Sequence, residues 1–127
     1  MTKQVIYTKN APEPIGPYNQ AILVDNTLYI SGQIPIDPAS GNIVSENPIE
    51  QTKQVMENIK AVLSEAEMSL ENIVKCSIFV KDLNSFLDVN TAYGSYFNPG
   101  TEPARECLEV SRLPKDVLVE ISCIAVI

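Results

Sequence analysis

The residues with the most chemical potential in this chain are one arginine and one glutamate, each set in an apolar strand-like segment. Only two arginines occur, Arg105 and Arg112. Arg105 opens the stretch Ala104-Arg-Glu-Cys-Leu-Glu-Val110, where a period of two puts Arg105, Cys107 and Glu109 on one face. A guanidinium there can hold a carboxylate through two parallel hydrogen bonds, which a lysine cannot do. Glu120 sits among Leu118, Ser122 and Ile124 on one face of the last strand-like run, and a carboxylate in such company needs a partner. On spacing alone, a structural ion pair or a solvated strand end is favoured over a site for both residues.

The remaining candidates are weaker. Cys107 has no histidine to activate it, so packing or contact with a ligand is the expected role rather than nucleophilic attack. Cys76 and Cys123 lie in apolar strands and read as core. Tyr18 stands between a rigid proline and polar amides in Ile15-Gly-Pro-Tyr-Asn-Gln-Ala21, and turn chemistry does not account for it. Ser31-Gly32-Gln33 ends a strand with a glycine that lets backbone approach another group closely. Asn90 falls on the apolar side of a helix, where its amide needs a partner.

Composition removes many alternatives. The chain has 127 residues, no histidine and no tryptophan. Ser-His-Asp and Cys-His catalysis and histidine-based zinc sites are therefore excluded. No glycine-rich phosphate loop and no metal-ligand spacing occurs, so no cofactor and no metal are expected. Sixteen acids against nine bases give a net charge of −7, which disfavours nucleic acid and anionic membrane surfaces as partners. Three cysteines without a CxxC, no long apolar span, and an N-terminal Met1-Thr-Lys-Gln-Val-Ile-Tyr7 unlike a signal peptide predict a cytoplasmic protein with free thiols.

The elements that must carry these residues follow from periodicity. Residues 1–127 read as a single domain. A short strand is expected at Val5–Tyr7, then a hairpin of Ala21–Val24 and Leu28–Ser31 around Asp25-Asn26, a turn without the usual glycine. Asn47, Pro48 and Glu50 form a helix start with the spacing of a capping box, and the helix is predicted to run to Glu67. Its apolar face is Thr52, Val55, Met56, Ile59, Val62, Leu63 and Ala66. A strand at Ile73–Val80 precedes a second helix over Asn84–Phe97, with Leu83, Phe86, Leu87, Asn90, Tyr93 and Phe97 on one side. Ala104–Val110 and Val117–Ile127 are the last strands. The pattern is α+β, two helices on one face of a mixed β-sheet. The final strand is apolar on both sides, and no loop segment is a candidate to cover the second face. A second copy of the chain is the expected cover.

Four motifs in this order resemble the reactive intermediate deaminase (RidA, YjgF/UK114) family. They are Ile15-Gly-Pro-Tyr-Asn-Gln-Ala21, Ser31-Gly-Gln-Ile-Pro35, Val80-Lys-Asp-Leu83, and Pro103-Ala-Arg-Glu-Cys107 continuing through Val110-Ser-Arg-Leu-Pro-Lys-Asp116. The resemblance implies a chorismate-mutase-like fold, a homotrimer with sites between subunits, and cofactor-free hydrolysis of 2-enamine and 2-imine acids to 2-keto acids and ammonia. It assigns carboxylate binding to Arg105 and water activation to Glu120, with Tyr18, Ser31, Gly32, Asn90 and Cys107 lining the pocket. Two departures from the family pattern stand out: Asn19 in place of a small residue, and a short 98–102 loop with Glu102 in place of an aromatic. Two other functions stay open at this point. One is a ligand-binding or regulatory trimer without turnover. The other is ribonuclease or translation-inhibitor activity, which the acidic chain counts against.

Overall fold

The computed structural model describes residues 2–127. Six strands form one sheet: β1 (Lys3–Ile6), β2 (Ala21–Val24), β3 (Thr27–Gln33), β4 (Ile73–Val80), β5 (Ala104–Glu109) and β6 (Val119–Val126). Their spatial order is β1-β2-β3-β6-β4-β5. Every neighbouring pair is antiparallel except β4 and β5, which are parallel and joined through the helix α2 (Phe86–Gly94). A parallel pair requires such a crossover, and it makes β5 an edge strand.

The long helix α1 (Pro48–Glu65) starts where Asn47 and Pro48 direct it. Asn47 Oδ1 accepts the backbone N–H groups of Ile49 at 2.8 Å and Glu50 at 3.2 Å. The reciprocal arm of a capping box is taken over by Ser45, whose Oγ accepts the Asn47 N–H, so Glu50 is not needed there. The helix stops two residues earlier than its periodicity suggests, because Glu67 turns left-handed at φ 59. Glu67 N–H then donates to Ser64 O and Met68 N–H to Leu63 O, a Schellman ending made without glycine.

Val55, Met56, Ile59, Val62 and Leu63 of α1 are fully buried against Leu28, Ile30, Cys76, Ile78, Val80, Val119, Ile121, Cys123 and Ala125 of the sheet. The even burial alternation of β6 shows the two faces directly: Val119, Ile121, Cys123 and Ala125 face the helices, while Glu120, Ser122, Ile124 and Val126 face away. Val117 and Leu118 precede the strand rather than belonging to it. No helix among the described residues is long and apolar enough to cross a membrane.

Three expectations are corrected. The second helix is shorter than Asn84–Phe97: a 3-10 turn at Leu83–Ser85 leads into α2, and Val89, Ala92 and Tyr93 form its buried side. Leu83, Phe86 and Leu87, which periodicity puts on one side with Tyr93 and Phe97, are exposed, Leu87 by 75%. The helix is rotated so that its first turn lies outside the core. Strand β3 continues to Gln33 instead of ending at Ser31. Finally, loops do cover one end of the second sheet face. Ile34, Ile36, Leu113 and Val117 form a separate buried cluster against Phe79. Farther along that face, Val5, Tyr29 and Leu108 remain about half exposed.

Candidate active site

The hairpin and the edge strand divide the candidate residues into two groups. The first group surrounds Glu120. Between the pairs Ile30–Cys123 and Gln33–Ile121, two residues of β3 oppose one of β6, so Ser31-Gly32 is a β-bulge opposite Ser122. The bulge brings the Gly32 backbone against the Glu120 side chain. A methyl group placed on Gly32 would lie 2.8 Å from Glu120 Cδ and 3.1 Å from Cγ, and closer still to Oε2. The glycine is there to seat the carboxylate. Tyr18, Ile15, Ser31, Ile34 and Pro114 complete a cavity of about 340 Å³ around it.

The loop carrying Ile15 and Tyr18 is fastened by a residue that spacing did not single out. Gln20 is almost wholly buried, and its side chain bonds Thr8 N–H at 2.8 Å, Thr8 O at 3.0 Å and Pro12 O at 3.0 Å. Its own backbone carbonyl accepts the Ser31 N–H. Tyr18 Oη accepts the Ile15 N–H at 3.2 Å, and Ser31 Oγ donates to Asn19 O at 2.6 Å. The opposite wall is held from α1. Asn58 Nδ2 donates to Ile34 O and Ile36 O, while Gln51 receives the Leu118 N–H and donates to Ser45 O. Gln51 and Asn58 flank the apolar stripe at a spacing of seven. Two amides so placed on an otherwise core-facing helix are the signal by which the sequence could have revealed them.

Burial pushes the Glu120 carboxyl above the usual carboxylate range. An acid raised in the folded state binds its proton more tightly there than in the unfolded chain. Its ionisation therefore costs stability as pH rises from the unfolded pKa through the raised folded value. Glu120→Gln should then melt at a higher temperature than wild type at pH 7.5. The difference should shrink as pH falls and disappear once the pH lies below the unfolded carboxylate pKa, where the glutamic acid is as neutral as glutamine in both states. Thermal melts of the two proteins across that range check this.

The second group surrounds Arg105, on the other face of the sheet. Arg105 pairs with Cys76 and Cys107 with Ile78 in the β4–β5 register, so both point towards the helices. Phe86, Asn90 and Tyr93 lie at i, i+4 and i+7 on α2 and meet the guanidinium together. Asn90 Oδ1 accepts from Nη2 at 2.5 Å, and the Tyr93 and Phe86 ring centroids lie 5.2 and 5.6 Å from Cζ. A hydrogen bond to a charged donor is worth about 1.5–3 kcal/mol and each cation–π contact about 0.5–2 kcal/mol. These outweigh the roughly 0–1 kcal/mol of an exposed ion pair. Glu106, the adjacent acid, points to the opposite face, where Lys75 Nζ lies 2.9 Å from Oε1 and Ser77 Oγ donates to Oε2. Among the described residues, Arg105 has no acidic partner within ion-pair distance.

Cys107 sits two positions along from Arg105, and burial pushes its thiol up, partly opposed by the Arg105 charge. It is not a preformed thiolate. Cys76 and Cys123 are buried core residues facing one another across β4 and β6. A larger cavity of about 780 Å³, between Lys60–Glu71 and Tyr96–Thr101, contains neither Arg105 nor Glu120.

Within one chain, therefore, the Arg105 guanidinium and the Glu120 carboxylate stand on opposite faces of the same sheet. Strand β4 lies between their strands. They can act on one small molecule only if a neighbouring copy brings its Arg105 to this Glu120, or the reverse.

The family model described as Endoribonuclease L-PSP matches residues 8–127. A RutC family protein of Pyrococcus abyssi is 55% identical over 98% of both chains. Among solved structures, the Rid family protein YyfA of Yersinia pestis superposes with a TM-score of 0.96 at 49% identity, covering 99% of this chain and all of that one. Escherichia coli TdcF, solved with bound serine, gives 0.92 at 39% identity over 98% of each chain.

Proposed function

Since the chain belongs to the Rid family, whose family model is described as Endoribonuclease L-PSP, we propose that it hydrolyses reactive 2-imino and 2-enamino acids to 2-keto acids and ammonia, in a homotrimer whose sites lie between subunits. The observation that carries this reading is the half-buried guanidinium of Arg105, held by a neutral amide and with no acidic partner among the described residues, on one sheet face and the desolvated carboxyl of Glu120 on the other. The first fits a substrate carboxylate and the second fits a proton carrier. TdcF with bound serine offers a parallel, since serine is also a small acid with nitrogen on C2.

The steps ask for nothing beyond these groups. Arg105 of one subunit holds the carboxylate of R–C(=NH)–COO⁻. Glu120 of the neighbour takes a proton from water as its oxygen adds to C2, giving a carbinolamine. The same carboxyl gives that proton to the nitrogen, completing the amino group of the carbinolamine. It then carries the hydroxyl proton to the nitrogen as C2=O forms and the C–N bond breaks, releasing ammonia and the 2-keto acid. The imine carbon is already electrophilic, so positioning and one base account for the acceleration. An RNA-cleaving activity, which the family description names, is disfavoured by the net charge of −7.

The test couples the protein to a dehydratase that releases 2-aminoacrylate and follows its decay to pyruvate. Wild-type protein should shorten the lifetime of the intermediate in proportion to its concentration. No acceleration would overturn the enzymatic reading and leave a binding protein. Light scattering should give a mass near three times the 14.0 kDa of the chain.

A further inference from the structure

Building on the reading of Arg105 as the carboxylate anchor, we infer that Phe86 is a positioning residue, whose ring fixes the guanidinium in an anion-receptive orientation and so sets substrate affinity. Core packing does not explain an aromatic at this place. Phe86 is the first residue of α2, is 40% exposed, and is followed by the still more exposed Leu87. Tyr93, by contrast, is buried in the core, so its place against Arg105 follows from packing. What Phe86 does offer is its ring to the Arg105 guanidinium, whose Cζ lies over it, 5.6 Å from the centroid.

The acids nearest in sequence are kept away. Glu106 is held by Lys75 and Ser77 on the opposite face, Glu102 Oε1 accepts the Gly100 N–H at 2.8 Å, and Glu109 Oε1 accepts the Leu83 N–H at 3.0 Å. The guanidinium is thus held by two aromatic rings and one neutral amide, none of which cancels its charge. Five N–H donors less the one given to Asn90 leave an edge for a bidentate carboxylate. Without the Phe86 ring the long side chain regains rotamer freedom, and each binding event must then order it again.

Two measurements test this on the whole protein. The first is the side-chain ¹⁵N–¹H NMR signal of Arg105 in the free protein. It should be displaced by the rings and exchange slowly compared with the arginines of the urea-unfolded protein, and Phe86→Leu should move it towards that unfolded position. The second is the affinity for 2-oxobutanoate, a product-type 2-keto acid, together with KM and kcat. Phe86→Leu and trifluorophenylalanine at position 86 should each weaken binding and raise KM about threefold to tenfold, with kcat nearly unchanged. Phe86→Tyr should match wild type. The fluorinated ring keeps the shape but loses the negative face, so a purely steric role would leave it unaffected. An unmoved Arg105 signal in Phe86→Leu, or wild-type affinity in the fluorinated protein, overturns the inference. A wild-type protein that fails to bind 2-oxobutanoate while Arg105 shows the ring-dependent signal overturns the anchor reading, and with it the effect on affinity, and leaves only the ring's hold on the guanidinium standing.

Discussion

Arg105→Ala and Glu120→Gln, each near background alone, should together recover about a quarter of wild-type turnover when co-expressed in equal amounts. The single losses are large for separate reasons. Removing the guanidinium deletes a charged bidentate contact, a loss of about 2–5 kcal/mol or roughly 30-fold to several thousandfold. Removing the base costs about 10² to 10⁴ in rate. The recovery follows from the sheet. Arg105 faces the helices and Glu120 faces away, so under the proposed reading each site draws its arginine from one subunit and its glutamate from the next. In a random mixture an intact arginine meets an intact glutamate at about one boundary in four. If both groups served one site from the same chain, no mixture could restore activity. Background turnover from trimers shown by mass spectrometry to be mixed would sink the shared site.

The same opposition shows how far the sequence could be read. Strand β4 was predicted to the residue, Ile73–Val80, because its β-branched alternation is a local property. The start of α1 was equally legible, since Asn47 and Pro48 act within one turn. Its end was not, because Glu67 takes up a left-handed conformation that glycine usually marks. The turn at Asp25, φ 53, shows the same substitution. A period of two correctly placed Arg105 with Cys107 and Glu120 with Ser122. It could not say how those two faces relate, since that depends on β4 lying between β5 and β6, a pairing set by contacts distant in sequence. The bulge at Ser31-Gly32 was hidden for a similar reason: it exists only relative to Ser122. Asn90 was read as an amide that needs a partner, and the structure supplies Arg105. Periodicity places Phe86 on the apolar side of the second helix, but it cannot tell which part of that stripe extends past the sheet.

Gly32→Ala should lower kcat by about a hundredfold or more while leaving the fold intact, the second large effect expected of this protein. The backbone at Gly32 does not adopt the left-handed region, so alanine adds no torsional strain there. What it adds is a methyl group against the Glu120 carboxylate, 2.8 Å from Cδ. The flexible end of Glu120 gives way more cheaply than the β3–β6 ladder, so the carboxylate leaves its seat and the melting temperature shifts little. An ångström of displacement at a reacting group is enough to cost two orders of magnitude. Gly94→Ala is the matched control, since a methyl group there meets nothing within 4 Å beyond its chain neighbours and its own helix backbone. It should turn over at the wild-type rate. The mechanism of loss is read from a double variant: Gly32→Ala added to Glu120→Gln should reduce kcat no further, because the group it displaces is already inert. An additional drop in the double variant would mean that Gly32 acts on the substrate itself, as a backbone contact, and not through the glutamate that leans on it.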